Sequence, residues 1–119
     1  MSERLSRFRE FRERMNRRIL DQGNKGINRF FALDSRAYED GALDARTKEL
    51  AGLAASLVLR CDDCIAYHLV RTRELGVGDD ELFEIFNVGL VVGGSIVIPH
   101  LRRAVDLLDE LGREGGTGP

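Results

Sequence analysis

The sequence contains no apolar run approaching the roughly 18 residues that a helix needs to span a bilayer, and no secretory signal is visible at its start. A transit peptide is poor in acids, whereas Glu3, Glu10 and Glu13 stand among the first basic residues. The cytoplasm is therefore the expected location. Charge of either sign is also in short excess: 18 Lys and Arg against 20 Asp and Glu leave −2, which gives no global case for binding nucleic acid or a membrane surface. No convincing strand alternation appears, no internal repeat is visible, and no Ser/His/Asp order or helix-turn-helix signal stands out. Gly76-Val77-Gly78 lacks a preceding strand and a third spaced glycine, so it reads as a turn and not as a phosphate cradle. Cysteine is scarce. The two present, Cys61 and Cys64, are three residues apart, and a disulfide across so short a loop would constrain the unfolded chain very little. In a reducing compartment such a pair is more often catalytic or metal-binding than a staple.

With 119 residues there is room for one domain, and a chain of this size buries a modest share of its surface, so a partner subunit would help it. A hydrophobic fraction of 43% beside a charged fraction of 32% places it among globular proteins and against long disorder. The charge is uneven. Residues 1–25 hold eight Lys and Arg and four Asp and Glu, and the remainder holds ten and sixteen. A basic N-terminal arm of this kind can meet an acidic neighbour, for which the acidic helices of a sister subunit are the nearest candidate.

What is present is helical periodicity. Leu5, Phe8, Phe11, Met15 and Ile19 form one apolar stripe on a first helix. Gln22 to Lys25 reads as a turn, and a shorter helix then carries Ile27, Phe30, Phe31 and Tyr38, ending near Gly41. Asp44 suits an N-cap for a third helix to Arg60, which turns Leu50, Leu53, Ala54, Leu57 and Val58 toward a core. Its small residues, Ala51, Gly52, Ala54, Ala55 and Ser56, suit close neighbours. A fourth helix runs from about Cys61 to Leu75 and stops at Gly76. Asp79 or Asp80 caps a fifth, broken by Gly93 and Gly94, with a short extended piece conceivable over 95–98. Pro99 falls in an early turn of a last amphipathic helix through Leu101, Val105, Leu108 and Leu111.

The chemistry concentrates on the fourth helix. Cys61, Cys64 and His68 are spaced by three and four, so they lie near one helical face. A cysteine at a helix start feels the positive end of the macrodipole, which favours the reactive thiolate, and the spacing allows a disulfide. Glu49 lies about 16 Å back along the preceding helix and His68 ~10 Å along the following one, at ~1.5 Å per residue. Antiparallel packing then brings the carboxylate and the imidazole within side-chain reach, where they form a proton relay for Cys64.

Glu49, eleven residues, Cys61, Asp62-Asp63, Cys64, three residues and His68 resemble the active-site signature of the alkyl hydroperoxidase D-like proteins. These belong to the carboxymuconolactone decarboxylase superfamily of small all-α proteins. The Leu75-Gly76-Val77 turn, the acidic helix start and the Gly93-Gly94 break resemble the same family, over roughly residues 40–111. The resemblance implies an all-α fold of about six helices in a bundle, assembled as a trimer or hexamer. Residues 1–25 would be a basic amphipathic helix, 26–111 the family's helical domain and 112–119 a flexible tail. It implies a thiol-dependent antioxidant peroxidase or disulfide reductase. Cys64 would be the buried cysteine that becomes a sulfenic acid, and Cys61 the more exposed partner that resolves it. Glu49 and His68 would relay protons. No bound cofactor or metal is implied, only a peroxide or disulfide substrate and an external dithiol donor: a thioredoxin-like protein, a lipoyl domain or a small thiol. The better-known hydroperoxidase D proteins have a histidine before the second cysteine, where this chain has Asp63. Asp62 and Asp63 oppose the helix's pull toward thiolate.

Other readings of the same residues remain open. The cysteines could be two small buried hydrophobes. Cys61, Cys64, His68 and Glu49 could supply four ligands to zinc. The superfamily includes a lactone decarboxylase that works without the thiol pair, and a redox-sensing oligomer needs no turnover. His100, after Pro99, reads as a surface or interface residue, and Tyr67 as packing.

Overall fold

A computed structural model describes residues 3–114. Six α-helices account for nearly all of them: α1 Glu3–Asp21, α2 Lys25–Ala37, α3 Ala45–Leu59, α4 Asp62–Glu74, α5 Asp79–Gly93 and α6 Ile98–Glu114. No strand occurs among the described residues, and the 95–98 segment held open as extended is a 3₁₀ turn, Ser95–Val97, leading into α6. The all-α expectation of about six helices therefore holds. No helix among the described residues is long and apolar enough to cross a membrane.

The helix ends follow from local chemistry. Asn24 accepts the Ile27 N–H to start α2, and Asp44 accepts the Thr47 N–H at 2.8 Å to start α3. The fifth helix departs from expectation. Its N-cap is Gly78, whose N–H donates to the Glu81 carboxylate at 3.1 Å, and Asp79 and Asp80 occupy the first turn instead. Glu81 at the third helical position reaches back to the cap, as in half of a capping box, while all three acids face the positive helix end. Gly94, at φ +83°, ends that helix where the Gly93-Gly94 break was expected. At the other terminus, α6 continues through Gly112 to Glu114, three residues into the stretch read as tail; residues 115–119 lie outside the described residues.

α3 forms the centre, packing on α4 along one side and α5 along the other, with α4 also against α6. Leu53 and Leu57 of α3, Ile65 and Leu69 of α4, Leu82 and Phe86 of α5, and Leu107 and Leu108 of α6 make the core. Leu50, Ala54 and Val58 are only half-buried. Of the small residues of α3, Gly52 lets a neighbour in, since a Cβ there would stand 2.7 Å from His68 Cε1, while Ala51 and Ala55 are exposed. On α5, a Cβ on Gly89 would stand 3.1 Å from Leu57, where α5 crosses α3.

The basic first helix finds its acidic partner within its own chain. Arg4 pairs with Asp106 and Glu110 of α6, each at 3.2 Å, so no sister subunit is needed for that contact. Leu5 beside it is fully buried, Phe8, Met15 and Ile19 of the same apolar stripe are half-buried, and Phe11 is exposed. α2 has no buried residue at all, and Ile27, Phe30 and Leu33 face outward from the single chain.

The Asp44 cap generates a pH prediction. Side-chain and backbone hydrogen bonds from Thr47 hold its carboxyl below the usual carboxylate range. A depressed folded-state value contributes stability present above the unfolded value, near 4, and lost as pH falls through the folded one. Asp44→Asn, which caps about as well, should match the parent's stability near neutrality and lose less of it below about pH 4 in urea titrations.

Candidate active site

The chain turns from α3 into α4 at Arg60, which takes the left-handed conformation at φ 58°. The Arg60 and Cys61 N–H groups bond back to Leu57 and Ser56 carbonyls at 3.0 and 3.1 Å, closing the end of α3. So sharp a reversal lays α4 antiparallel along α3. Cys61 becomes the N-cap of α4: its sulfur accepts the Cys64 N–H at 3.2 Å. The two cysteines are joined as a disulfide, with Cα atoms 5.2 Å apart. Both sulfurs therefore sit at the positive end of α4, as their spacing anticipated.

Their exposure runs opposite to what the resemblance implies. In the single chain Cys64 is exposed and Cys61 half-buried. The N-cap residue is tucked under the end of α3, whereas Cys64, three positions on, turns outward with Asp63.

Two turns further along, α4 enters the core and carries His68 with it. His68 and Glu49 are both buried, and His68 Nδ1 lies 2.7 Å from Glu49 Oε1, a separation of 19 residues bridged by the helical hairpin. A carboxylate can only accept, so Nδ1 carries the proton, and in the neutral imidazole Nε2 then presents its lone pair. The second carboxylate oxygen lies 3.7 Å from Arg71 Nε, an ion pair one turn down α4. Burying a carboxylate costs several kcal/mol unless it is paired and hydrogen-bonded, and these two contacts supply that pairing.

The imidazole is boxed in by groups that spacing alone does not associate with it. Tyr67 stands edge-on at 5.3 Å between ring centroids, and Tyr38, which caps the C-terminal end of α2, lies tilted at 5.4 Å. Arg12 of α1 stacks over Tyr67 at 4.0 Å, so both N-terminal helices reach the site. Burial, then the charges of Glu49 and Asp34, raise the Tyr38 phenol above its ordinary value, which keeps its proton in place as a donor. A polar recess lined by Arg12, Asp34, Tyr38, Glu49, Tyr67 and Arg71 opens beside the pair.

A second histidine–carboxylate contact lies at the thiol end. His100 Nδ1 is 2.7 Å from Asp62 Oδ1, and Arg103 reaches the other oxygen at 3.3 Å. His100 is thus tied to the residue that follows Cys61, and Arg103 offsets the negative charge that Asp62 places beside the thiols. Asp63 has no such partner among the described residues. Nor do the described residues gather three or more His, Cys, Asp or Glu side chains as a metal ion would need.

The chain and its fold are similar to known proteins. Protein 4 of the cox locus of Paracoccus denitrificans is 33% identical over 82 residues, which cover 69% of this chain and 74% of that protein. A Thermotoga maritima carboxymuconolactone decarboxylase family protein, for which involvement in the antioxidative response has been suggested, superimposes with a TM-score of 0.89. It is 54% identical, and the match covers 95% of this chain and 97% of that one. The apo form of a Legionella pneumophila protein of the same family superimposes with a TM-score of 0.82 at 25% identity, covering 92% and 97% of the two chains. The family model for carboxymuconolactone decarboxylase matches residues 27–107, a span that contains the thiol pair, His68, Glu49 and Tyr38. The chain belongs to the carboxymuconolactone decarboxylase family.

Proposed function

We propose that this protein is a thiol-dependent peroxidase or disulfide reductase that cycles the Cys61–Cys64 pair. The observation that carries the proposal is the placement of that disulfide at the start of the same helix that holds the buried His68–Glu49 pair. The antioxidative role suggested for the Thermotoga maritima relative agrees with it.

The cycle follows from the groups in place. The Cys64 thiolate attacks the terminal oxygen of a hydroperoxide: an S–O bond forms, the O–O bond breaks, and the departing alkoxide takes a proton to leave as an alcohol. His68, one turn from Cys64, takes the thiol proton and returns it to the departing oxygen, while Glu49 holds the ring and stabilises the imidazolium. The Cys61 thiol then attacks the sulfenic acid, forming the disulfide and releasing water. An external dithiol restores the pair through a mixed disulfide and is itself oxidised. With a disulfide substrate, the reduced pair attacks sulfur instead of oxygen. Exposure of Cys64 lets either substrate approach, and Arg103 on Asp62 limits the local negative charge. The donor belongs to the class of thioredoxin-like proteins, lipoyl domains or small thiols, and the pair needs no bound cofactor to cycle.

We further infer that copies of the chain associate. Phe30 and Leu33 on α2, and Val91 and Val92 on α5, are exposed apolar residues on helix faces that none of the described residues covers. Native mass in solution should then be a small multiple of 13.3 kDa, and a mass of one chain would overturn the association.

Titration of freshly reduced protein before and after stoichiometric organic hydroperoxide tests the cycle. Loss of both thiols per chain is expected, with Cys64→Ser abolishing rapid loss and Cys61→Ser trapping a sulfenic acid. Unchanged thiols would sink the peroxidase half of the proposal, and failure to reduce a dithiol-exchangeable disulfide would sink the rest. Glu49→Gln should slow oxidation by about ten- to a hundredfold, less than the roughly hundred- to ten-thousandfold worth of a whole acid–base group, because Glu49 acts through His68. An unaltered rate would remove Glu49 from the relay.

A further inference from the structure

The geometry points to Tyr38 as a positioning residue of the relay, whose hydroxyl holds the free nitrogen of His68 through one bridging oxygen, a water in the resting protein. This rests on the relay reading of Glu49 and His68, and extends it to a residue on a different helix.

Three observations converge. First, Glu49 secures only the Nδ1 end of the ring; neither His68 Nε2 nor the Tyr38 hydroxyl has a hydrogen-bond partner among the described residues. Second, both atoms approach one point beside α3. A Cβ built on Gly52 would stand 2.8 Å from Nε2 and 3.0 Å from the Tyr38 hydroxyl, so the two are separated by no more than a pair of hydrogen bonds spans. One oxygen can accept from the phenol and donate to Nε2. Third, the phenol is kept protonated by burial and by the neighbouring Glu49, so it faces this oxygen as a donor.

The consequence is a ring fixed at both ends. A base held at Nδ1 alone can rock about that bond; a second anchor at Nε2 keeps the lone pair aimed and delivers a ready proton acceptor. Gly52 is then required for space. Any side chain there meets His68 Cε1 at 2.7 Å and pushes the imidazole or the phenol aside.

The test uses the full-length reduced protein, Tyr38→Phe, tert-butyl hydroperoxide and the ¹⁵N resonances of the His68 ring without peroxide. Phe keeps the ring packing and removes only the hydroxyl. The variant should show an unchanged melting temperature, an Nε2 resonance moved toward that of an unbonded imidazole nitrogen, and oxidation slower by about five- to tenfold, the worth of one hydrogen bond. Should Tyr38→Phe fold poorly, Gly52→Ala makes the same displacement from the opposite side and should move both readouts, although alanine favours helix. An Nε2 resonance unmoved in a folded variant overturns the inference, with or without a slower rate. A parent protein that does not consume peroxide refutes the peroxidase half of the proposed activity instead, and the resonance still decides the bridge.

Discussion

The contact between Glu49 and His68 is the constraint on which the site depends. Each residue is an expensive guest in a core of leucines; His68 has Glu49 at 2.7 Å, and Glu49 has His68 and the Arg71 guanidinium. Removing one partner from such a buried pair leaves the other uncompensated, at a cost of about 3–5 kcal/mol, comparable to much of a small domain's stability. The pair therefore helps fix the register of α3 against α4, because a 2.7 Å hydrogen bond does not survive a slide of about an ångström. Fixing that register also sets where α4 begins, and so where the thiols stand.

The thiol end obeys a different rule. Redox exchange with an outside partner requires sulfur at the surface, and proton handling requires groups shielded from water. One helix satisfies both by entering the core as it proceeds. Its first turn carries Cys61 and Cys64 at the rim, and its second carries His68 inside. The left-handed residue Arg60 sets the angle at which this happens. Acidic residues in the first turn suit the helix dipole but disfavour a thiolate beside them, and the conflict is resolved at Asp62 by His100 and Arg103. The charge that helps start the helix is thereby kept from acting on the sulfur.

How much of this is legible in the amino-acid order depends on the range of each interaction. The Asp44 cap, the Gly94 break and the helix faces are local, and the residues themselves announce them. Glu49 and His68 are 19 residues apart, yet they belong to two consecutive helices, so rise per residue and antiparallel packing suffice to bring them together. The arithmetic stops working one helix further away. Tyr38 reaches His68 only because the loop over 38–44 returns α2 to the flank of α3, and loop geometry leaves no periodic trace. His100 reaches Asp62 across 38 residues for the same kind of reason. The basic N-terminus shows its need for acid plainly in its composition, but whether the acid comes from Asp106 of the same chain or from another copy is decided by the path of α1. Even a local rule can mislead when two residues compete for one role: Asp79 looks like a cap until Glu81 satisfies the Gly78 N–H from behind.

The inverted exposure of the two cysteines is informative on the same grounds. Cys61 is half-buried because capping draws its sulfur over the first turn, and Cys64 is open because none of the described residues lies across that side of α4. Packing among the described residues thus does not shelter Cys64. If shelter is part of the chemistry, it must come from a surface outside the chain, and exposed apolar residues on α2 and α5 supply such surfaces. A sulfenic acid formed at an open Cys64 would be vulnerable to further oxidation unless Cys61 closes on it quickly. The i,i+3 spacing on one helical turn keeps the two sulfurs neighbours and allows that closure. In the proposed cycle, proximity of the resolving sulfur would do in one chain what enclosure would do in an assembly.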